Sequence, residues 1–422
     1  MLAAMYSGPA ICRETSTPTG GANRWLLVPR VPLAAIASVA IFGLIALVLS
    51  ASPFPSPIDE LEHLSVVAEQ VERPSPFRYA SEYRVLSSDL SDWSPKQNYI
   101  NHPSAYYLSL APFWALTKSV TVLRLINVLL AVASLILVIA AGFRLLRSPI
   151  QRSIFAIFAA SFPKGAVVAG MINNDNLAAC AGAAVFAGLA GMAAAPIWMA
   201  MGLALAGWTK LTALIALGTL VGCHYGMRLA RGQAQVWTRE TGLLSAGAVV
   251  GALPYLYNFA STGSVLWFNA DHFRVPVHLR PELDHIAYVG YFLTALVQKW
   301  PAVEGILPFG LVLGLITLPL LLAASSIRNA DLSPYAVAYG VALVTTLLLQ
   351  ITFGWRVFVE LGDLTIAQTR YFNVLWPGIA LGAAAGAARL SRLCSRGVTV
   401  IVIACLLPTM LGMPMMLALI EA

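Results

Sequence analysis

The sequence predicts an all-α protein whose helices cross a membrane many times, and three observations support this. Hydrophobic residues make up 59% of the chain, charged residues only 11%, and the mean hydropathy is +0.76. Soluble domains carry about 25% charged residues, so a soluble multidomain protein is excluded. The apolar residues also form runs close to the ~20 residues that a helix needs to cross a bilayer. The net charge of +7 therefore gives no reason to expect nucleic-acid binding.

About eleven transmembrane helices are expected. Their approximate ranges are 31–51, 120–143, 153–171, 177–195, 196–208, 210–227, 241–260, 304–324, 335–354, 371–388 and 397–418. The fifth and sixth are short and are separated by the sequence GWTKLT at 207–212. Two further runs, 104–117 and 286–300, predict amphipathic helices that lie at the membrane surface.

The basic residues indicate the orientation of the chain, because Lys and Arg collect in cytoplasmic loops. With the amino terminus inside, 13 of the 26 basic residues fall on inner segments, against only 3 of the 19 acidic ones. Residues 1–30 are then a cytoplasmic tail, and residues 31–418 form a single transmembrane domain without a separate soluble domain. Two long loops, about 52–119 and 261–303, lie outside. Since long ordered loops often carry function, the chemistry is expected on the outer face.

An acidic cluster directly follows the first predicted span. The sequence PIDELEH at 57–63 contains Asp59, Glu60 and His63. Prolines at a helix start and acids in the first turn both favour a helix here, and we predict one over 58–72. Asp59 and His63, four residues apart, then share a face. The pattern is typical of an ordinary acidic first turn on a surface helix, and equally of a ligand-binding site.

Two polar segments lie at the boundaries of later spans. NYINHPSAYYLSLAPFWAL contains His102 and Tyr106, and it indicates either an aromatic belt at the interface or a binding segment. GMINNDNLAA contains Asp175, which suits a helix cap or turn and also a ligand-binding acid.

Two cations also lie close to predicted membrane boundaries. Lys210 would cost about 2.5–3.5 kcal/mol at the centre of a bilayer, so it either faces a polar cavity or extends to the outer boundary. Arg370, followed by Tyr371 in QTRYFNVLWPGIAL, enters the tenth predicted span from outside. Its side chain can reach the interface, or it can offer its planar set of donors to a phosphate.

Taken together, these motifs carry a family resemblance. In order they are PIDELEH, NHPSAYYLSL, NNDN, GLALAGWTKLTALIAL and QTRYFNVLWPGIAL. The chain resembles, from about residue 30 to 390, the GT-C superfamily of polytopic glycosyltransferases. It is most similar to the branch of protein O-mannosyltransferases and the lipid A aminoarabinose transferase, and to uncharacterised bacterial membrane families around that branch.

The resemblance implies a bundle whose long first outer loop holds an acidic catalytic motif, and a polyprenyl-phosphate-linked sugar as donor. The acidic pair falls on Asp59 and Glu60, and Asp59 matches the residue assigned as base or essential carboxylate. A PPLYY-type segment falls on 103–107, where the second Pro and the Leu are missing. The basic phosphate contact of some relatives is replaced by His102, and the second-loop acid corresponds to Asp175.

The late Arg-Tyr pair of the family corresponds to Arg370 and Tyr371. Unlike the oligosaccharyltransferase branch, no large soluble carboxy-terminal domain is expected. The expected enzyme moves a sugar to a hydroxyl of a glycan, lipid or protein acceptor, on the outer face of the cytoplasmic membrane. Arg370, Lys210 and His102 are expected at the donor phosphate, and the reaction is expected to invert the anomeric carbon.

Several alternatives remain open from the sequence. A divalent metal (Mn, Mg or Zn) would find suitable ligands in Asp59, Glu60, His63 and Asp175. A polymerase or ligase of surface polysaccharide would use a similar lipid-linked substrate on the same face. A flippase or transporter would more often show charges at mid-membrane and related halves, and a non-catalytic scaffold would leave the ordered motifs unexplained.

Overall fold

The computed structural model describes residues 31–56, 59–77, 83–162, 165–266, 269–298, 320, 323–324, 332–364 and 367–393. The regular elements, in chain order, are α1 (Leu33–Ser50), α2 (Glu60–Glu72), β1 (Arg84–Leu86), β2 (Trp93–Gln97), α3 (Ala105–Thr117), α4 (Val120–Leu145), α5 (Pro149–Ala160), α6 (Gly165–Ala169), α7 (Asp175–Leu189), α8 (Ala195–Gly207), α9 (Leu211–Ala230), α10 (Arg239–Thr262), α11 (Ala270–Phe273), α12 (His285–Gln298), α13 (Ser333–Leu361) and α14 (Trp376–Leu393). Short 3₁₀ helices cover Val277–Leu279 and Thr369–Leu375.

The described part of the chain contains five helices that are long and apolar enough to cross a membrane: α1, α4, α9, α10 and α13. All five coincide with predicted spans. The helices α7 and α8 are shorter and apolar, and three residues, 208–210, separate α8 from α9, as the GWTKLT sequence predicts. The predicted spans 304–324 and 397–418, and the amino-terminal tail, lie outside the described residues apart from positions 320, 323 and 324.

Several helix starts follow from local side-chain chemistry. Ser119 accepts a hydrogen bond from the Val122 N–H at the start of α4, and Thr238 accepts one from the Thr241 N–H at the start of α10. At the start of α5, the side chain of Ser148 and that of Gln151 each accept a hydrogen bond from the backbone N–H of the other residue. These side chains pair N–H groups that have no partner within the helix.

The structure corrects the predicted architecture at three places. The run 153–171 forms two helices, α5 and α6, instead of one span. A proline at position 163 of the sequence, which has no backbone N–H to donate, accounts for the interruption. The tenth predicted span begins as a 3₁₀ helix at Thr369–Leu375 before α14. The strands β1 and β2 form an antiparallel hairpin, so the chain is not strictly all-α.

Of the four apolar cores among the described residues, two contain most of the buried apolar side chains. The larger one is built from α1, α4, α5, α7, α8, α9, α13 and α14. Small residues allow close packing within it: Gly247 and Gly251, four residues apart on α10, bring that helix so near α8 that a Cβ on Gly207 would overlap the Gly251 backbone. Such spacing is common where membrane helices meet.

The smaller core lies within the first loop. Leu64 on α2, Leu86 on β1, and Tyr107 and Trp114 on α3 are buried together there. The first loop is thus a packed unit of two helices and a hairpin that rests on α4 and on Ile172, which belongs to the same core. The apolar side of α2, with Leu64, Val67 and Ala68, is buried against protein.

The second loop packs against the end of α13. Tyr288 on α12 contacts Trp355 and Phe358 of α13, and the Val275 N–H donates to the carbonyl of Leu361. The helix α13 ends at Gly362, whose φ of +81° favours glycine. This turn directs the chain back toward the 3₁₀ helix that carries Arg370.

Candidate active site

A cavity of about 630 Å³ lies where the first loop, the second loop, α9, α13 and the 3₁₀ helix at 369–375 meet. Its wall is partly polar and partly apolar. The polar lining residues include Asp59, Tyr99, His102, Lys210, Gln350, Arg370 and Tyr371. The apolar lining residues include Leu211, Ile215, Leu266, Leu349 and Phe353. Five of the residues predicted for the site from sequence therefore share one cavity.

Asp59 stands at the entrance to α2 with a left-handed backbone (φ 56°, ψ 18°), a conformation that Asp tolerates better than most residues. Its side chain does not cap the helix. Instead, the Tyr99 hydroxyl donates to Oδ1 at 2.5 Å, and Nη2 of Arg370 donates to Oδ2 at 2.5 Å. The carboxylate remains 25% exposed toward the cavity.

The pKa of Asp59 depends on two opposing effects. Burial acts to raise the pKa of this carboxyl, but the positive charge of Arg370 and the hydrogen bond from Tyr99 outweigh it, so the pKa lies below its ordinary value. Asp59 is therefore an ionised carboxylate at neutral pH. An ionised carboxylate in contact with a cavity can accept a proton from a bound molecule.

Arg370 joins Asp59 to a second acid. Its Nε lies 3.5 Å from Oδ2 of Asp175, and Nζ of Lys210 donates to Oδ1 of the same carboxylate at 2.7 Å. The Lys210 ammonium also lies 4.2 Å from the centre of the Tyr371 ring, a cation–π contact. We call the set Asp59, Arg370, Asp175 and Lys210 the charge network. Its two carboxylates and two cations balance in charge.

Backbone contacts bring the distant parts of the charge network together. Asn174 donates from Nδ2 to the carbonyl of Thr209, which ties the start of α7 to the turn between α8 and α9. This bond sets Asp175 beside Lys210. Asn173 accepts from the Asp175 N–H through Oδ1 and so shapes the same turn. The sequence NNDN thus shapes the turn before α7 and positions an acid, although the N-cap residue Asn174 makes no side-chain capping hydrogen bond.

Glu60 has different surroundings from Asp59. It is fully buried, and Arg124 donates to both of its oxygens at 2.8 and 2.6 Å. The N–H groups of Ile172 and Ser56 donate to the same carboxylate. Glu60 does not line the cavity. Of the two neighbouring acids, only Asp59 is brought to the place where a substrate fits.

The two predicted histidines form a stacked pair beside the cavity. The ring centroids of His63 and His102 are 6.2 Å apart, and Nδ1 of His63 lies 2.9 Å from the Tyr107 hydroxyl. Burial lowers the pKa of His63 to about 3. Burial and the Lys210 charge hold the pKa of His102 well below its ordinary value. His102 therefore lines the cavity as a neutral ring, and its contact with a donor phosphate stays a prediction.

Tyr106 and Tyr371, the two predicted tyrosines, lie in different environments. Tyr371 lines the cavity. Tyr106 is fully buried in the smaller core, where its hydroxyl donates to Asn127 on α4 at 2.9 Å. It does not line the cavity, because its face of α3 packs on the bundle.

The residues suggested for a metal site do not fit one. Among the described residues, no group of three or more His, Cys, Asp or Glu side chains could hold an ion. Asp59 pairs with Arg370, Glu60 with Arg124, and Asp175 with Lys210. Each candidate carboxylate is thus already neutralised by a cation of the protein.

Sequence reasoning missed two residues of the site. Tyr99 lies in the segment NYINHPSAYYLSLAPFWAL, but no periodicity distinguishes it from the aromatic residues around it. Arg124 was detectable, because an arginine inside the predicted span 120–143 needs a buried partner. That partner is Glu60.

Solved structures of two membrane proteins are among those that resemble this chain. ArnT from Cupriavidus metallidurans, bound to undecaprenyl phosphate, superposes with a TM-score of 0.52 at 14% identity and covers 86% of this chain. The Archaeoglobus fulgidus oligosaccharyltransferase in complex with Zn and sulfate gives 0.51 at 12% identity and covers 89%. The fold is GT-C-like. No family model and no curated protein matches the sequence.

This likeness confirms the fold that the resemblance of the five sequence motifs implied. The chain spans 61% of the length of ArnT and 52% of that of the oligosaccharyltransferase. At these identities the likeness concerns the arrangement of helices, and the activity has to be argued from the cavity.

Proposed function

We propose that this protein is a membrane glycosyltransferase that moves a sugar from a polyprenyl-phosphate-linked donor to an acceptor hydroxyl. The observation that carries the proposal is the charge network at the wall of a part-polar, part-apolar cavity. Such a cavity suits a molecule with an anionic head and an apolar tail. The likeness to a solved structure bound to undecaprenyl phosphate supports this donor class.

Arg370 and Lys210 are the proposed contacts of the donor phosphate. Arg370 is only 7% exposed, its Nη1 has no hydrogen-bond partner in the described part of the chain, and its Nε makes only the 3.5 Å ion pair with Asp175. A guanidinium presents a planar set of donors that matches phosphate oxygens. As the sugar leaves, negative charge develops on the phosphate, and fixed cations in a site shielded from water stabilise it strongly.

Asp59 is the proposed general base. Each carboxylate oxygen has two lone pairs, so Asp59 can accept a hydrogen bond from an acceptor hydroxyl while Tyr99 and Arg370 remain bound. The acceptor oxygen attacks the anomeric carbon, the bond from that carbon to the phosphate oxygen breaks, and the hydroxyl proton passes to Asp59. A single displacement of this kind inverts the anomeric centre.

The remaining predicted residues support this arrangement. Tyr371 places its ring against Lys210 and so limits where the ammonium can lie. His102, neutral in the cavity wall, can accept or donate one hydrogen bond to a substrate. Glu60 is proposed to position Asp59 through the buried pair with Arg124. The arginine distribution supports an amino terminus inside and a site on the outer face of the cytoplasmic membrane.

The test is transfer by purified protein in detergent or vesicles, with polyprenyl-phosphate-linked sugars as donors. We expect Asp59→Asn to lower the transfer rate about 10²–10⁴-fold, the usual contribution of general base catalysis. Glu62→Gln is the matched control, since Glu62 lies on the same short stretch but outside the cavity wall. The control should retain the wild-type rate and the wild-type melting temperature, and Asp59→Asn should remain folded, as its melting transition shows.

Wild-type transfer by Asp59→Asn would contradict the proposed base. Movement of the intact lipid-linked sugar across vesicles, without bond cleavage, would indicate a flippase. Extension of the product by repeated units would indicate a polymerase that uses the same donor class.

A further inference from the structure

The cavity wall contains a buried side-chain amide that has no described hydrogen-bond partner. Gln350 lies on α13, is 4% exposed and lines the cavity. Neither its Oε1 nor its Nε2 has a hydrogen-bond partner within the residues that the structure describes. On α9, which packs against α13, the hydroxyl of Thr212 lines the same cavity and also lacks a described partner.

The lack of a hydrogen-bond partner is not shared by the other polar side chain of α13 in the cavity wall. Thr346, one turn before Gln350, also lines the cavity, but its hydroxyl donates to the carbonyl of Ala342 at 2.7 Å. Polar groups buried in proteins are nearly always paired, and an unpaired amide is unfavourable. Gln350 therefore has unused hydrogen-bonding capacity at a position where a ligand can reach the wall.

The chemistry of the unpaired atoms identifies the ligand class. Gln350 offers both a donor and an acceptor, and Thr212 offers a hydroxyl that can act as either. A phosphate oxygen only accepts and would leave Oε1 of Gln350 unpaired. An apolar lipid tail would satisfy none of these atoms. A sugar hydroxyl both donates and accepts, and so it can pair with the amide.

We propose that Gln350 and Thr212 form a carbohydrate subsite that binds sugar hydroxyl groups, separate from the phosphate contacts Arg370 and Lys210. The subsite rests on the proposed function, because glycosyl transfer requires the cavity to hold a sugar. The final side-chain torsion of glutamine is broad and roughly two-fold. The amide can therefore turn toward a sugar that enters the cavity without changing the helix.

The test compares two ligands that differ only in the sugar. Binding of undecaprenyl phosphate and of undecaprenyl-phosphate hexoses is measured by calorimetry on wild type and Gln350→Met, which keeps the length of the side chain but removes the amide. We expect the affinity for the sugar-bearing lipid to fall about tenfold, as for the loss of one or two hydrogen bonds. The affinity for the sugar-free lipid should change less than twofold.

Two further variants keep the test specific. Thr212→Val should weaken binding of the sugar-bearing lipid in the same direction but by less, because it removes one hydroxyl. Thr352→Val is the control: its hydroxyl lies on the exposed side of α13 and bonds the carbonyl of Leu348, away from the cavity. It should leave both affinities unchanged.

The sugar could belong to the donor or to a glycan acceptor, and kinetics distinguishes the two. Unchanged donor affinity with a raised KM for a glycan acceptor in Gln350→Met supports a subsite for the acceptor sugar. Unchanged affinities and unchanged KM values overturn the subsite and leave a core amide paired by water. An equal loss for both lipids also overturns it. If the wild-type protein binds neither lipid, the proposed function itself fails.

Discussion

Asp59 and Glu60 are adjacent carboxylates with opposite surroundings. Asp59 faces the cavity, is 25% exposed and is held by Tyr99 and by an arginine from far along the chain. Glu60 faces the bundle, is fully buried and accepts four hydrogen-bonded contacts from Arg124 and two backbone N–H groups. Adjacent acids in one turn thus have different environments, one beside the cavity and the other enclosed by protein.

The two carboxylates differ in whether a group from outside the protein can reach them. Around Glu60, every donor belongs to the protein, and water has no access, so removal of the carboxylate leaves a buried guanidinium without compensation. Around Asp59, the cavity supplies room for a substrate group. A carboxylate that retains free lone pairs beside a cavity can exchange protons, whereas a fully paired and enclosed one cannot.

The largest effect should come from the enclosed acid. We expect Glu60→Ala to cost about 3–5 kcal/mol of unfolding free energy, as for other broken buried pairs, seen as poor yield and a lowered melting temperature in detergent. The control is Glu72→Ala on the same helix, since the exposed Glu72–Arg84 pair should contribute at most about 1 kcal/mol. Equal stability of the two variants would contradict a structural role for Glu60.

The next effect concerns the phosphate end of the charge network. Arg370→Lys keeps the charge but loses the planar set of donors, so donor affinity should fall about 10–100-fold, equivalent to about 1.5–3 kcal/mol for charge-assisted hydrogen bonds. Arg356→Lys on the exposed part of α13 is the matched control. Unaltered affinity for undecaprenyl phosphate in Arg370→Lys would remove Arg370 from the phosphate site.

The smallest effect should be a shift in pH dependence. The Tyr99 hydroxyl helps to keep the pKa of Asp59 below its ordinary value, so Tyr99→Phe should raise that pKa. Because the base must be deprotonated, the acid limb of kcat/KM against pH should then move to higher pH, by less than about one unit. Activity above that limb should persist.

Tyr291→Phe serves as the control for this shift, because Tyr291 lies on α12 outside the cavity wall. Its pH profile should coincide with that of the wild type. An acid limb that stays in place, or moves to lower pH, in Tyr99→Phe would show that the titrating group is not Asp59.

Local sequence patterns predicted most of the described helices. A run of about twenty apolar residues has few alternatives to a membrane helix, because each backbone polar group must be paired within the segment. The runs at α1, α4, α9, α10 and α13 were therefore readable one at a time. The hairpin was not, since its strands Arg84–Leu86 and Trp93–Gln97 are short and carry no clear alternation of apolar residues.

The charged residues that line the cavity could also be picked out from the sequence, because charged residues are rare in this chain and their positions at membrane boundaries stand out. Asp59, Lys210 and Arg370 could each be named without a structure. The sequence could not show which of these charges form pairs. Asp59 pairs with Arg370, 311 positions away in the sequence, and Asp175 pairs with Lys210, 35 positions away. Only the packing of the helices determines which of these residues come together. It also determines that Asp59 faces the cavity while Glu60 is enclosed, since two adjacent side chains point to opposite surroundings once the helix is packed.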